Sequence, residues 1–244
     1  MAGHNTRPMS ANPTVDSVTG AGPAVIVAAR NEADRIGVTL SALARVFPSA
    51  ALWVADDGST DGTAEAAIAA GASVVSRGRP HGKGGNVSAA AAAMLSADPV
   101  PDVVLLCDGD LGESAGALAK LVRAVESERC DLAVAAFRVR VGGGFGVALR
   151  FARWAIERHC GYRAGAPISG QRAMRTEVLR GVLPFAKGYG MEIGMTVDAV
   201  RAGYRVCEIE LELEHRATGR TPAGFAHRAA QLRDFARVYL ERRG

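Results

Sequence analysis

Three strand-length apolar runs in the first half of the chain, Ala24–Ala29, Leu52–Ala55 and Asp102–Cys107, each stop at a charged cluster. The clusters are Arg30-Asn31-Glu32, Asp56-Asp57 and Asp108-Gly109-Asp110. An uninterrupted run such as Ala-Val-Ile-Val-Ala-Ala suits a strand buried on both faces, the habit of parallel sheets. Helical spacing separates the runs. Ile36, Leu40, Leu43 and Phe47 share one helix face, and Thr60 or Asp61 caps a second helix reaching about Ala70. Ser73–Ser76 is a further strand, and the glycine-rich turn Gly82-Lys83-Gly84-Gly85-Asn86 leads into an Ala-rich helix ending near Leu95. Leu118, Leu121, Val122 and Val125 mark another helix, before the strand Asp131–Phe137. This alternation predicts an α/β fold, a mostly parallel central sheet flanked by helices. Ligands of such sheets bind beyond the carboxyl ends of the strands. All three charged clusters fall there, so they predict a single site.

The second half is less regular. Gly142–Gly146 is a glycine-dense link, and Phe151, Trp154, Ala155 and Arg158 predict a helix up to Cys160. Ile168–Met174 reads as a short strand or turn, and Met191–Ala202 has helical spacing. Glu208, Glu210, Glu212 and Glu214 then alternate with Ile209, Leu211 and Leu213, the period of a strand with one wet face near a sheet edge. Ala223–Glu241 predicts an amphipathic helix with Phe225, Leu232, Phe235, Ala236 and Tyr239 inward and Arg228, Arg233 and Arg237 on the other side. The expected organisation is a flexible tail at 1–20, one half at 21–141 and a second at 142–244, within a single domain.

Composition narrows the function classes. The 244 residues suffice for a full core, and 48% hydrophobic with 22% charged residues excludes wholesale disorder. The longest apolar runs, Ala24–Ala29 and Ala89–Leu95, fall far short of the ~20 residues of a membrane span. Residues 1–20 lack the apolar stretch of a secretion signal. A net charge of +4, evenly spread, does not suggest nucleic acid. Cys107, Cys130, Cys160 and Cys207 show no metal-site spacing and read as reduced thiols of a cytoplasmic protein. Among 29 basic residues the only lysines are Lys83, Lys120 and Lys187, which singles out Lys83 in its glycine turn.

The clusters suggest definite chemistry. Asp108 and Asp110 can face one small volume, and hard carboxylate oxygens favour Mg²⁺ or Mn²⁺ completed by substrate phosphates. An Asp-Gly turn is the plainer reading, but Asp56 and Asp57 at a neighbouring strand end favour the metal. Those two acids need donors, such as a nucleobase amide or ribose hydroxyls. The Gly82–Gly85 turn is not a P-loop, yet it joins backbone N–H groups, a helix start and one cation, which suits a phosphate. Glu192 at a helix start is either an acid complementing the helix dipole or a general base. His215, beside Arg216, Gly219 and Arg220, looks like part of a lid closing on anions, and its imidazole could complete a metal site.

Together, Val27–Glu32, Val54–Asp61, Gly82-Lys83-Gly84, Asp108-Gly109-Asp110 and Glu192 with Ala202-Gly203-Tyr204-Arg205 resemble the family 2 glycosyltransferases. These have the GT-A (Rossmann-like) nucleotide-diphospho-sugar transferase fold, and the resemblance spans about Pro23 to Tyr239. It implies sugar transfer from a UDP- or GDP-sugar with Mg²⁺ or Mn²⁺ as cofactor. On this resemblance Ala29, Arg30 and Glu32 line the nucleoside pocket, and Asp57 and Asp56 meet the base or ribose. Lys83 lies near the nucleotide, and Asp108 and Asp110 match the DxD motif that holds the metal on the donor diphosphate. Glu192 stands at the family's catalytic base, with Met191 where an acidic neighbour is usual. Residues 21–141 become the donor half and 142–244 the acceptor half.

Two subgroups fit. Gly188–Ile193 and Ser169-Gly170-Gln171-Arg172 are similar to the dolichol-phosphate mannosyltransferase-like enzymes, which invert the anomeric centre on a polyprenyl phosphate acceptor. The same region with His215-Arg216 and Gly219-Arg220 is similar to the glucosyl-3-phosphoglycerate synthases. Those retain configuration, use a soluble phosphorylated acid and employ the matching His as a metal ligand. Ser169, Gly170, Arg172, Arg216 and Arg220 are therefore expected at the acceptor or lid. The expectation leans to inversion with Glu192 as base, the acceptor being a lipid phosphate or a small molecule. Peripheral contact with the inner face of the membrane through the last helix, and a homodimer, are left open.

Rival readings fare worse. A nucleotidyltransferase would carry a glycine-rich, Arg-containing loop after the first strand and a dehydrogenase GxGxxG, whereas Ala28–Glu32 has no glycine. A non-catalytic sugar-nucleotide binding protein would bind donor without turnover, and the presence of Asp108, Asp110 and Glu192 argues against it.

Overall fold

The strands are β1 (Ala24–Ala29), β2 (Ala51–Asp56), β3 (Ser73–Ser76), β4 (Val103–Asp108), β5 (Leu132–Phe137), β6 (Arg172–Arg175) and β7 (Val206–Leu211). They belong to a computed structural model that describes residues 22–137, 146–213 and 222–242. The expected tail at 1–20, the link residues 142–145 and the segment with His215, Arg216 and Arg220 lie outside the described residues. The strands form one sheet in the order β3-β2-β1-β4-β6-β5-β7. β1, β2, β3 and β4 are parallel, β6 runs antiparallel to β4 and β5, and β7 is parallel to β5.

The helices are α1 (Ile36–Val46), α2 (Thr63–Ala69), α3 (Lys83–Leu95), α4 (Ala119–Glu126), α5 (Gly146–Cys160), α6 (Thr176–Val182), α7 (Met191–Arg201) and α8 (Pro222–Glu241). The pleat of β1 shows why its sequence is apolar without interruption. Val25, Val27 and Ala29 join a core with α1 and α4, while Ala24 and Ile26 join a second core with α3, α6 and α7. Val25, Ile26 and Val27 are fully buried, each worth roughly 1.5–3 kcal/mol of apolar burial. A third core packs α5, α7 and α8 together through Ile156, Ile193, Val197, Phe235 and Val238.

This topology places the site. β2 and β4 flank β1 on opposite sides, and all three strands point the same way. Their carboxyl ends, Ala29, Asp56 and Asp108, therefore border the crevice where open α/β sheets bind ligands.

Several expectations are sharpened or corrected. Helix α3 begins at Lys83, so the lysine sits in the first helical turn rather than in a turn preceding it. Neither Thr60 nor Asp61 is the N-cap of α2: that position is Gly62, with φ +88°, while Asp61 Oδ1 accepts from the Thr63 N–H at 3.1 Å across the preceding turn. β7 lies at the sheet edge as expected, but Glu208 does not simply face water. Its Oε1 accepts the N–H groups of Gly165 and Ala166 at 2.8 and 3.1 Å. The expectation of four reduced cysteines is wrong for two of them. Cys130 and Cys207 form a disulfide across 77 residues, because β5 and β7 are neighbours, while Cys107 and Cys160 are free thiols.

Candidate active site

The Lys83 side chain organises the crevice. Its Nζ stands 2.7 Å from Asp108 Oδ1 and 3.1 Å from Glu192 Oε1. Thus the end of β4, the start of α3 and the start of α7 meet at one ammonium group. Burial works against the lysine's charge, but the carboxylates of Asp108 and Glu192 outweigh it and hold its pKa above the ordinary value. The other oxygen of Asp108 accepts from Gln171 Nε2 at 2.8 Å.

Asp57 organises the opposite wall. Its Oδ1 accepts the N–H groups of His81 and Gly82 at 2.7 and 3.2 Å and Asn86 Nδ2 at 2.8 Å. Asn86 also donates to the Asp56 carbonyl at 2.8 Å, so it clamps the end of β2 to α3. The Asp56 carboxylate lies one layer deeper, accepting from the Ser59 N–H and the Ser76 hydroxyl. Adjacent acids are tolerated because each has its own donors.

A cleft of about 510 Å³ joins these parts. Ala29, Arg30, Asp57, Lys83 and Asp108 line it together, and Glu192 reaches it through Lys83. Gly170 abuts the same cluster, since a Cβ there would collide with Lys83 Nζ. Glu32 and Asp110 are not among the residues that line the cleft, and their backbones tie the loops beside it. The Glu32 N–H donates to Thr63 Oγ1 at 2.9 Å, and the Asp110 carbonyl accepts from Arg35 Nη1 at 2.7 Å. Ser169 and Arg172, expected at the acceptor, are buried and do not line the cleft. Arg172 donates to the Ser169 carbonyl at 2.8 Å and to Thr196 Oγ1 at 2.9 Å, and Thr196 donates in turn to the Glu192 carbonyl. Burial pushes the Arg172 guanidinium down to about 10 against the pull of Glu192 and Glu208. The arginine therefore supports the α7 start from below.

Lys187, Gly188, Tyr189, Arg233, Asp234 and Arg237 also line the cleft, and sequence reasoning missed them. The amphipathic pattern sets the two arginines opposite the inward face of the last helix. They are exposed, but that side borders the site. Gln171 and Asn86 lay inside quoted motifs, but no acid adjoins either in sequence, so nothing there signalled their bonds to Asp108 and Asp57.

Residues 24–182 match the family model described as glycosyl transferase family 2. The chain belongs to that family. Undecaprenyl-phosphate mannosyltransferase from Micrococcus luteus is 27% identical over 208 residues, covering 80% of this chain and 84% of that protein. Glucosyl-3-phosphoglycerate synthase from Mycobacterium tuberculosis, in complex with phosphoglyceric acid, superposes with a TM-score of 0.75 at 28% identity, covering 91% of this chain and 80% of that one. The same synthase in complex with Mn²⁺, uridine-diphosphate and glucosyl-3-phosphoglycerate gives a TM-score of 0.71 at 27% identity, covering 91% and 80%. A further crystal structure, of a mycobacterial protein, gives 0.76 at 31% identity, covering 91% and 75%.

This family 2 glycosyltransferase thus has a GT-A-like α/β fold and is an enzyme of the glycosyltransferase class. No helix among the described residues is long and apolar enough to cross a membrane. Its crevice also suits a divalent cation. Asp108 supplies hard oxygen, and the resident ammonium on its Oδ1 shows that a cation is favoured there. Among the described residues no group of three or more His, Cys, Asp or Glu could hold a metal. A Mg²⁺-type ion at Asp108 would be held by one or two carboxylates together with substrate phosphates.

Proposed function

We propose that this glycosyltransferase moves a sugar from a UDP- or GDP-sugar to a hydroxyl or phosphate acceptor, with inversion at the anomeric carbon. The observation that carries the reading is Lys83 Nζ, bridging Asp108 at 2.7 Å and Glu192 at 3.1 Å. One cation links the residue suited to the donor diphosphate with the residue suited to the acceptor. Residues 21–141 supply the donor side and 142–244 the acceptor side. Ala29, Arg30 and Asp57 hold the nucleoside, and Lys83 pairs with the diphosphate. Asp108 and Asp110 would hold Mg²⁺ or Mn²⁺, which when bound offsets charge on the leaving diphosphate.

Glu192 is the base. Its carboxylate takes the acceptor proton as the acceptor oxygen bonds to the anomeric carbon, and the bond from that carbon to the diphosphate oxygen breaks. The ammonium now on Glu192 must first move to the phosphates, which leaves the carboxylate available to the acceptor. Gly170 keeps the space beside Lys83 and Asp108 open.

The likeness to glucosyl-3-phosphoglycerate synthase, with a TM-score of 0.75, favours a second reading. In it transfer retains configuration, Glu192 contacts sugar or acceptor, and His215 completes the metal set with Arg216 and Arg220 in a lid. The anomeric configuration of the product, read by NMR, separates the two. The primary test is a panel of UDP- and GDP-sugars offered to the purified chain with Mn²⁺, Mg²⁺ or chelator. Metal-dependent donor binding and hydrolysis are expected, and binding of no nucleotide sugar under any condition overturns the reading.

A further inference from the structure

Helix α8 carries two arginines, Arg233 and Arg237, one turn apart on the side that borders the cleft. Their side chains are 79% and 63% exposed. Among the described residues each ion-pairs only at long range with an acid of its own helix, Arg233 Nε to Asp234 Oδ1 at 3.5 Å and Arg237 Nε to Glu241 Oε1 at 3.7 Å. Exposed pairs of that kind contribute little to stability. Arg242, a turn further on, behaves differently. It is 16% exposed and is engaged by Asp198, with Nε donating to Oδ1 at 2.8 Å. Arg242, just past the helix end, thus holds the fold, while the helix presents Arg233 and Arg237 to the cleft.

The helix itself is firmly seated. Phe235 and Val238 are buried, and Asp234 Oδ2 accepts the Tyr189 N–H at 3.2 Å. It also packs against a glycine-bearing turn. A Cβ on Gly188 would collide with the Asp234 carboxylate, and one on Gly190 with Val238 Cγ2. The arginines thus project from an element whose distance to the cleft floor is set by packing. Rigid support of this kind is what a recognition site needs.

The acids lining the cleft are already engaged. Asp57 accepts three donors, Asp108 is held by Lys83 and Gln171, and Asp234 by Tyr189 and Arg233. A single guanidinium binds phosphate through two parallel N–H donors, and two arginines one turn apart on the cleft side place two such groups on one stretch of the rim. Lys83 at the floor already serves a donor diphosphate in the reading above. We infer that Arg233 and Arg237 form a second anion subsite at the cleft mouth, which takes the phosphate of a phosphorylated acceptor. This rests on the cleft being the donor site.

The test uses the full chain and the double variant Arg233→Gln, Arg237→Gln, with Arg233→Lys, Arg237→Lys as the charge-retaining control. Calorimetry measures UDP and GDP with Mn²⁺, then glycerol 3-phosphate and, separately, a polyprenyl phosphate in detergent micelles. Glycerol and phosphate-free micelles are the blanks. The expected result is weakening of a phosphate probe by at least about tenfold in the Gln variant, partial recovery in the Lys variant, and nucleotide binding within about twofold of the parent. Which phosphate probe responds tells a soluble ester from a lipid. Equal probe binding in parent and variant overturns the subsite, as does loss of nucleotide by the same factor as the probe. A parent that binds nucleotide and neither phosphate probe also overturns it. A parent that binds no nucleotide at all overturns the donor-site reading instead. Unchanged thermal melting of the Gln variant shows that the helix is still seated.

Discussion

The Lys83 ammonium stands 2.7 Å from Asp108 Oδ1, where the end of β4 meets the first turn of α3. The contact joins a strand end and a helix start that are 25 residues apart by number, and it gives Asp108 a cation before any ligand arrives. It also holds the ammonium charged, since its pKa is raised by Asp108 and Glu192 despite burial. A cation ligand and a phosphate would compete for the two ends of this pair.

Replacing Lys83 with Met should separate those two roles. Without the ammonium, Asp108 and Glu192 leave uncompensated negative charge in the crevice, so Mn²⁺ alone should bind more tightly, as read by electron paramagnetic resonance. UDP or GDP should bind roughly ten- to a hundredfold more weakly, the loss of a hydrogen bond between charged groups. Weaker Mn²⁺ binding together with unchanged nucleotide binding would sink the proposed placement.

Glu192→Gln keeps an acceptor for Lys83 at nearly the same place while removing the basic carboxylate. If Glu192 accepts the acceptor's proton, kcat should fall by about 10²–10⁴-fold with little change in nucleotide affinity. Steady-state rates and calorimetry on the same preparation check this. A kcat within about tenfold of the parent would leave Glu192 with a contact role and favour retention of configuration.

The parts of this molecule that were legible in sequence are those whose physics is local. β1 and Val103–Cys107 of β4 must be apolar because both faces are buried, and charged residues, Arg30 and Asp108, follow where the backbone leaves the core. α6 and β6 were harder, because β6 opens with Arg172, a fully buried cation inside an apolar layer. No periodicity signals that a buried guanidinium will donate from Nε to Ser169 and from Nη1 to Thr196, with Nη2 left without a hydrogen-bond partner. The amphipathic pattern of α8 correctly put Phe235 inward but could not say what its polar side would face. That depends on how α8 docks on Gly188 and Gly190. The Cys130–Cys207 pairing depends in the same way on β5 lying beside β7.

That pairing has a direct count. Of the 4 cysteines, Cys107 and Cys160 should react with a thiol reagent after denaturation without reductant, and all of them after reduction. Native protein should react more slowly still at Cys107, whose thiol is buried and pushed up in pKa by that burial and by Asp108. Mass spectrometry after alkylation would locate the labels. Four labels on oxidised, denatured protein would mean that the two sulfurs are not joined.

Asp131 links three strand ends and sets an acid limit on stability. Its Oδ2 accepts the Arg205 N–H at 2.8 Å and Arg205 Nε at 3.0 Å, Oδ1 accepts Arg205 Nη2 at 2.9 Å, and Arg175 Nε lies 3.3 Å away. The Arg205 side-chain hydrogen bonds, working against burial, lower the Asp131 pKa to about 2 from 3.8. A carboxyl depressed in the folded state adds stability that is fully present above the unfolded value and is lost as pH falls through the folded one. Asp131→Asn should therefore lower the melting temperature by roughly 2–4 °C at neutral pH, corresponding to about 1 kcal/mol for a charged pair whose arginine is largely exposed. The gap between parent and variant should hold down to about pH 4 and close toward pH 2, where the parent takes up its proton. Thermal melts of both proteins across that range measure it, and a gap that widens on acidification would show that the carboxylate is not what holds β5, β6 and β7 together at this corner.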